Sequence, residues 1–227
     1  MSVSKTLANV VLANQLDNKP YEIAVFGKSF IVYPRVYSPK YCKDTAFYAQ
    51  ELPVKAGDKV LEIGCGTGVV SIFALFKGAD SVVAIDINPL AVQNARENAQ
   101  RYGFEHQMEI RQSDVWEKIN TYETFDLIFW NIPFGYSDNN LATIEEKAVF
   151  DPGYNAIRRF FGGAACHMGE CSRLMFGCCP ELMRFDLLLN IVNEADFTFS
   201  TFSGQVIKNF DGIINLVLFE AFKNVNA

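Results

Sequence analysis

The feature that most constrains this chain is a glycine-rich break between two apolar runs, in residues 59–70 with the sequence KVLEIGCGTGVV. The first run predicts a buried β-strand and the second predicts an apolar helix. Three glycines in five residues allow a sharp turn and let a ligand approach the main chain closely. The free N–H groups of the helix N-terminus would face that ligand. A strand, a glycine turn and a helix in this order predict a nucleotide-type binding site.

The residues present exclude two related glycine motifs. No Gly-Lys-Ser/Thr follows the turn, so it is not a P-loop, and Val69 stands where the full dinucleotide pattern requires its third glycine. The pattern that fits is E-x-G-x-G-x-G, from Glu62 to Gly68. It resembles the first motif of the class I S-adenosylmethionine-dependent methyltransferases. The resemblance implies a Rossmann-like fold and S-adenosyl-L-methionine as the cofactor.

Length and composition narrow the class of protein. The chain has 227 residues, half of them apolar, enough for one sizeable α/β domain. Its net charge of −6 argues against a large duplex-binding surface, which needs clustered cations, although a small nucleic-acid site stays open. No apolar run approaches ~20 residues, so no membrane span is predicted. Six cysteines without a C-x-x-C motif or a signal peptide predict reduced thiols in a cytoplasmic protein.

No metal site is predicted from the cysteines and histidines. The densest group of such residues fits no common zinc ligand spacing. Its members are Cys166, His167, Cys171 and Cys178.

The order of predicted elements indicates one α/β domain with an N-terminal cover. Residues 1–53 predict a helix (Ser4–Leu16, with Leu7, Val10, Val11 and Leu16 inward), a β-hairpin (Tyr21–Val32), an entry loop and a short helix. We interpret them as a cover over the methyltransferase domain, residues 54–227, and not as an independent domain. From Lys55 strands and helices alternate, which predicts a parallel sheet with right-handed crossovers. The expected fold is α/β: a Rossmann-like, seven-stranded, mostly parallel sheet with an antiparallel last strand, plus the N-terminal helix and hairpin.

Acidic residues follow two of the predicted strands, at the edge where an open parallel sheet binds its ligand. Asp86 lies 18 residues after Gly68, close to the spacing expected for an acid that binds ribose hydroxyls. Asp114 can accept from an adenine amino group while the N–H of Val115 faces a ring nitrogen. Helix capping is the structural alternative for both acids.

Glu62 is an acid within an apolar strand. Its uncompensated burial would cost several kcal/mol. We therefore expect it to hold N–H groups of the glycine turn or the ammonium group of the ligand.

The stretch Asn131-Ile132-Pro133-Phe134 follows the predicted strand Phe125–Trp130. It resembles the N-P-P-Y/F motif of methyltransferases that act on nitrogens of planar groups, namely the HemK-like glutamine enzymes and the adenine-amino enzymes. The side-chain oxygen of Asn131 and the carbonyl of Ile132 would each accept an N–H from the acceptor nitrogen. Phe134 would stack on the planar group. Ile132 replaces the first proline, and its backbone acceptor survives the change, while Pro133 still keeps it extended.

The HemK-like resemblance covers about residues 21–135. Only about 20 residues precede the hairpin, too few for a separate substrate domain, so release-factor recognition is not implied. Loop residues Tyr37, Lys40 or Thr45 are expected to touch the ligand. Residues 141–159 are the candidate substrate wall, although a solvated surface is the favoured interpretation for the charged residues there. These are Glu145, Glu146, Arg158 and Arg159.

These observations predict an S-adenosylmethionine-dependent N-methyltransferase that acts on an amide or amino nitrogen, with a protein side chain as the preferred acceptor. An adenine-amino methyltransferase for RNA or DNA, a small-molecule N-methyltransferase and a cofactor-binding scaffold subunit remain alternatives. The predicted catalytic residues are Asn131, Ile132, Pro133 and Phe134. The predicted cofactor-binding residues are Tyr37, Thr45, Glu62, Gly64, Cys65, Gly66, Gly68, Asp86, Ile87, Asp114, Val115 and Asn131. The oligomeric state is left open.

Overall fold

A computed structural model describes residues 3–141, 143–209 and 212–224. The helices are α1 Val3–Leu16, α2 Asp44–Glu51, α3 Val69–Phe76, α4 Pro89–Arg101, α5 Asn155–Ala164 and α6 Phe185–Glu194. The strands are β1 Tyr21–Val25, β2 Lys28–Val32, β3 Lys59–Ile63, β4 Ser81–Asp86, β5 Met108–Gln112, β6 Phe125–Asn131, β7 Gly135–Ser137, β8 Phe150–Pro152, β9 Met168–Cys178, β10 Phe197–Asn209 and β11 Gly212–Lys223.

The main sheet has seven strands in the order β10-β11-β9-β6-β3-β4-β5. Strands β3, β4, β5, β6 and β9 pair in parallel, while β11 runs antiparallel to both of its neighbours. The chain proceeds from β3 outward to β5 and then returns to the other side of β3 at β6. This reversal of direction opens a crevice beyond the carboxyl ends of β3 and β6. The predicted mostly parallel sheet with an antiparallel last strand is confirmed.

Apolar residues cover both faces of the sheet. On one face α2, α3 and α4 pack through Phe47, Val69 and Ala95. On the other face α5 and α6 pack through Phe160 and Leu188. Because both faces are covered, the inner strands are near-continuous apolar runs, which is why Glu62 stands out in β3.

Two buried asparagines of α4 attach the N-terminal hairpin to the sheet. Asn94 Oδ1 accepts from the N–H of Tyr33 at 2.8 Å, and Asn98 Oδ1 accepts from the N–H of Ile31 at 2.9 Å. The Nδ2 group of Asn98 also donates to the carbonyl of Thr67, in the glycine turn, at 2.9 Å. The first two bonds use N–H groups in and directly after β2, on the side where β2 has no partner strand. The hairpin and the glycine turn are therefore held in one arrangement.

Several local predictions are corrected. Leu16 is 76 % exposed because it lies nine residues after buried Leu7, on the opposite side of α1. Pro152 and Pro180 also predict helix starts, because proline favours the first turn of a helix. The first of these helices begins instead at Asn155, since Pro152 ends strand β8, and the segment from Pro180 is divided into a 3₁₀ turn over Pro180–Leu182 and α6.

The polar segment that follows β6 also has structure. Strands β7 and β8 pair in parallel, with the 3₁₀ turn Glu146–Ala148 between them. The N–H of Gly135 donates to the carbonyl of Val149 at 2.7 Å, and a Cβ at position 135 would lie 2.3 Å from the ring of Phe150. Glycine therefore lets this segment fold back against the end of the Asn131–Phe134 motif.

Within the described ranges, no helix has the length and apolar character needed to cross a bilayer. The same residues contain no group of three or more His, Cys, Asp or Glu side chains placed to hold a metal ion. Cys178 is buried, whereas Cys166 and Cys171 are exposed. His167 stacks on Trp116, with ring centroids 4.7 Å apart.

Candidate active site

A cavity of about 500 Å³ lies at the carboxyl ends of β3, β4, β5 and β6. Most of the predicted site residues line it. They are Tyr37, Thr45, Glu62, Gly64, Cys65, Gly66, Asp86, Ile87, Asp114, Val115, Asn131 and Pro133. The walls formed by the described residues do not include Gly68, Ile132 or Phe134. The cavity therefore joins the glycine turn to the Asn131 motif in one space.

The glycine turn is held by its own backbone and by β4. The N–H of Cys65 donates to the carbonyl of Ile85 at 2.9 Å, and the N–H of Gly68 donates to the carbonyl of Cys65 at 2.7 Å. Gly64 has φ +67°, and a Cβ there would lie 2.9 Å from Nε1 of Trp130. Glycine is required at this position by conformation and by space.

Gly68, predicted as a ligand contact, has a packing role in the structure. It precedes α3 with φ +78°, and a Cβ there would lie 3.1 Å from the Cβ of Ala95. The absent side chain lets α3 approach α4 closely. Gly68 therefore shapes the turn from behind the cavity wall.

The carboxylate of Asp86 is bound to the backbone on both sides. Its Oδ2 accepts from the N–H of Gly66 at 2.8 Å, and its Oδ1 accepts from the N–H of Asn88 at 2.8 Å. Burial raises the pKa of Asp86 to about 6, against the opposing effect of these N–H groups. Each carboxylate oxygen has a second lone pair, so Asp86 can still accept from a ligand hydroxyl. In this structure Asp86 also stabilises the glycine turn.

Glu62 is buried beneath the turn, and its hydrogen-bond partner is not the one predicted. The hydroxyl of Ser71, in α3, donates to Oε2 of Glu62. Burial raises the pKa of Glu62 to about 8, and the Ser71 hydrogen bonds partly oppose this. The N–H groups of Cys65 and Gly66 in the turn donate elsewhere, to the carbonyl of Ile85 in β4 and to the carboxylate of Asp86. Glu62 still lines the cavity, where a cationic group would favour its ionised form.

Asp114 is held by an ion pair that the sequence did not predict. Nη2 of Arg159 donates to Oδ1 of Asp114 at 2.7 Å. Ser113, and not the Asp114 side chain, caps the following turn, since its hydroxyl accepts from the N–H of Lys118 at 3.0 Å. Val115 adopts φ +51°, which turns the chain sharply beside the cavity.

Asn131 closes the opposite wall of the cavity. Its Nδ2 donates to Oδ2 of Asp44 at 2.9 Å. Its Oδ1 is buried and has no hydrogen-bond partner among the described residues. Buried polar atoms are nearly always paired, so an exception in a cavity wall points to a donor on a ligand.

Asp44, at the end of the entry loop, is a residue of the site that the sequence analysis did not single out. Tyr37 donates through its hydroxyl to Oδ2 at 2.8 Å, and the N–H of Thr45 donates to Oδ1 at 2.7 Å. Burial raises the pKa of Asp44, while the hydrogen bonds from Asn131 and Tyr37 lower it. One signal was present in the sequence: an acid directly precedes Thr45 in a loop expected to touch the ligand.

The other motif residues lie beside the cavity. Ile132 is 1 % exposed, and its N–H donates to the carbonyl of Gly177 at 3.0 Å, which secures the backbone of the motif. Phe134 lines a second, mostly apolar cavity of about 360 Å³. Tyr37, Ala148 and Val149 line both cavities, so the two are neighbours. Lys40 lines the second cavity and forms an ion pair with Asp17 at 3.1 Å.

Residues of the segment 141–159, the predicted substrate wall, line the first cavity, and two of the charges there are not free surface groups. Glu145, whose side chain is 4 % exposed, pairs with Arg35 of the entry loop. Arg159 pairs with Asp114. Arg158 behaves as expected of a surface group and pairs with Glu194, both half-exposed. The favoured surface interpretation is therefore wrong for Glu145, which ties this segment to the loop after β2.

Comparison with known proteins gives the following similarities. The family model for ribosomal protein L11 methyltransferase (PrmA) matches residues 44–136. A putative protein N5-glutamine methyltransferase of Methanocaldococcus jannaschii is 37 % identical over 127 residues, which are 56 % of this chain and 58 % of that protein. The chain thus spans less than two thirds of the curated relatives it matches.

Solved structures agree on the fold. The Mtq2–Trm112 complex of E. cuniculi, described as methylating the termination factor eRF1, superposes with a TM-score of 0.60 at 20 % identity, covering 84 % of this chain and 99 % of that one. The T. thermophilus 16S rRNA methyltransferase RsmC, in complex with AdoMet and guanosine, has a TM-score of 0.62 at 18 % identity, covering 91 % and 50 %. The solved structures show a shared Rossmann-like fold, and the family model and the sequence relatives show that the central part of the chain is similar to methyltransferases.

Proposed function

We propose that this protein is an S-adenosylmethionine-dependent N-methyltransferase that methylates an amide or amino nitrogen on a protein side chain. The observation that carries the proposal is Oδ1 of Asn131, which is buried and unpaired within the described chain and belongs to a residue that lines the same cavity as the glycine turn. That oxygen can accept an N–H, and the cavity places it opposite a nucleotide-type binding turn.

The residues of the cavity fit S-adenosylmethionine. Glu62 and Asp86 line it, and neither forms an ion pair within the described part of the chain, so the wall suits a cationic ligand. Asp86 would accept from the ribose hydroxyls, and Asp114 with Val115 would hold the adenine. Glu62, Gly64 and Thr45 would surround the methionyl end. S-adenosylmethionine, when bound, supplies an electrophilic methyl group on a sulfonium.

The acceptor would be activated by position and not by a strong base. An amide nitrogen has a delocalised lone pair and is a poor nucleophile. Asn131 Oδ1 and the carbonyl of Ile132 would each accept one of its N–H groups and bring the nitrogen toward tetrahedral geometry. Preorganised acceptors of this kind act where positive charge develops on the nitrogen. Phe134 and the apolar second cavity would hold the body of the acceptor.

Several observations support a protein acceptor. The relatives are described as glutamine and ribosomal-protein methyltransferases. The net charge of −6 is unfavourable for a nucleic-acid surface. Residues 1–53 would act as the cover of domain 54–227, with Tyr37 and Asp44 reaching into the site. The cysteine content is in keeping with a cytoplasmic enzyme.

The test is labelling of a cell lysate with S-adenosylmethionine that carries a radioactive methyl group. Wild-type protein should label the protein fraction, and mass spectrometry should locate the methyl group on a side-chain nitrogen. Asn131→Ala is the matched inactive control. If the radioactive methyl group is found in RNA, DNA or metabolites, the acceptor belongs to that class and not to the proteins. Cofactor binding by calorimetry without any transfer would favour a scaffold subunit, and no binding heat for the wild type would end the methyltransferase proposal.

A further inference from the structure

Asp44 lies at the start of α2 and reaches the Asn131 motif across 87 residues of sequence. The residue is 2 % exposed, and its side chain receives hydrogen bonds from three donors. These are Asn131 Nδ2, the hydroxyl of Tyr37 and the N–H of Thr45. Asn131 and Tyr37 both donate to the same oxygen, Oδ2.

This arrangement determines the orientation of the Asn131 amide. An ionised carboxylate can only accept hydrogen bonds, so the amide must turn its NH₂ group toward Asp44. Its carbonyl oxygen then points the other way, and this is the buried atom without a partner in the described residues. Leaving a buried acceptor unpaired is unfavourable.

We propose that Asp44 is a positioning residue that holds the Asn131 amide with its oxygen directed at the methyl acceptor. The inference rests on the proposed function, because it assigns that oxygen to the acceptor nitrogen. Asp44 itself has no part in the reaction: it touches Asn131, and Asn131 touches the acceptor. Tyr37 and Thr45 in turn hold Asp44, which gives Tyr37 of the entry loop a structural role beside the Asn131 motif. The entry loop therefore takes part in selecting the reactive geometry.

The first experiment is a double-mutant cycle of Asp44→Asn, Asn131→Asp and the exchanged pair D44N/N131D. In N131D two carboxylates face each other, and we expect kcat to fall roughly 10²-fold. In the exchanged pair, the amide introduced at position 44 can donate to the carboxylate introduced at position 131, whose second oxygen again faces the cavity as an acceptor. The pair should recover at least about tenfold over N131D, which is a non-additive result. If the losses of the two single variants simply multiply, the proposal is overturned.

Two measurements separate positioning from general damage. The cofactor Kd should stay close to wild type in all three variants, so the effect lies in kcat. Asp58→Asn is the control for loss of a buried carboxylate, because Asp58 accepts from the backbone N–H of Lys55 at 2.6 Å, pairs with Arg173 and does not line the cavity. It should leave kcat unchanged. A loss in D58N equal to that in D44N would make Asp44 a merely structural residue and overturn the proposal.

A second experiment needs no turnover. The side-chain NH₂ signal of Asn131 can be assigned in a ¹H–¹⁵N spectrum by its disappearance in N131D. Its hydrogen exchange should be slow in the wild type and at least about tenfold faster in Asp44→Ala. Equal exchange overturns the proposal even for an active enzyme. If Asp44→Ala does not fold, the double-mutant cycle provides the test. If the wild type is inactive, the proposed function is refuted, and the exchange measurement still shows whether Asp44 holds the Asn131 amide.

Discussion

The candidate site has two halves that are built in different ways. The donor half, named for the methyl donor proposed to bind there, consists of the glycine turn, Glu62, Asp86, Asp114 and Val115, all from consecutive elements between β3 and the loop after β5. The acceptor half comprises Tyr37 and Asn131, which line the first cavity, and Asp44 and Phe134, which line the second. These residues come from the entry loop, from α2, and from the end of β6 with the loop after it. The donor half is the product of neighbouring strand ends, whereas the acceptor half requires contacts between distant parts of the chain.

The halves also differ in how their polar groups are satisfied. In the donor half Asp86 accepts from Gly66 and Asn88, and Glu62 accepts from Ser71. The turn therefore holds its shape without help from a ligand. In the acceptor half Asn131 Oδ1 is buried with no partner in the described ranges. Under the proposed function, the donor half would set the cofactor affinity, while the unpaired oxygen of the acceptor half would be available to the reacting group.

The largest effect should come from breaking the acceptor half. Asn131→Ala removes an acceptor that is fully used only as charge develops on the nitrogen, so kcat should fall roughly 10²–10³-fold. The cofactor Kd should remain close to wild type. Single-turnover kinetics and calorimetry measure the two quantities. Asn193→Ala, an exposed change on α6, is the control and should alter neither.

A wild-type turnover rate in N131A would contradict the assignment of Asn131. A loss of cofactor binding equal to the loss of rate would place this residue in the donor half instead.

The next largest effect should come from the donor half. Asp86→Ala removes a charged acceptor for ligand hydroxyls and a support of the Gly66 N–H, so the cofactor Kd should rise about 10- to 100-fold. At saturating cofactor, kcat should recover most of its wild-type value. Isothermal titration calorimetry gives the Kd, with Asp80→Ala, an exposed acid beyond the cavity, as the control. An unchanged Kd in D86A would remove Asp86 from the site.

A pair of glycine variants separates backbone strain from crowding in the donor half. Gly64 and Gly57 both have positive φ, +67° and +86°, but only at Gly64 would a Cβ meet a neighbour, Nε1 of Trp130 at 2.9 Å. Gly57→Ala should lower the free energy of unfolding by about 1–2 kcal/mol through strain alone. Gly64→Ala should lower it by a further ~1–3 kcal/mol because of overpacking. Urea unfolding measures both, and equal losses would show that Trp130 moves away freely.

The smallest effect should be the pH dependence of cofactor affinity. Burial raises the pKa of Asp86 to about 6, so its carboxylate is ionised above that pH and protonated below it. The ionised form is the better acceptor for ribose hydroxyls. Affinity should therefore weaken as pH falls through about 6, by at most about tenfold per pH unit. Calorimetry between about pH 5 and 8, roughly the range in which protonation of Asp86 would affect binding, measures this change in cofactor affinity.

The matched variant for that titration is Asp86→Asn, which keeps the shape and has no proton to gain. Its cofactor Kd should be weaker than wild type and flat in this pH range. If the variant shows the same pH profile as the wild type, a different group, such as Glu62 with its pKa raised to about 8, controls the linkage.

Much of the fold and half of the site could be predicted from local patterns. The alternation of apolar strands and helices predicted the parallel sheet, because buried strands are continuous apolar runs and crossovers have one hand. Asp86 and Asn131 could be placed at one edge because each directly follows a predicted strand. The helix start at Pro152 was wrong because helix ends carry weaker signals than helix interiors. The inward orientation of Leu16 was wrong because this residue lies on the opposite side of α1 from Leu7.

The sequence by itself determined the donor half, since a strand, a three-glycine turn and a helix form a binding turn from adjacent residues. It also determined that Asn131 follows a strand at the same sheet edge. Only the tertiary structure decided that Gly68 packs against Ala95, that Ser71 holds Glu62, and that Asp44 turns the Asn131 amide. The physical reason is that a side-chain hydrogen bond depends on direction and distance between distant segments, which no spacing in the sequence records.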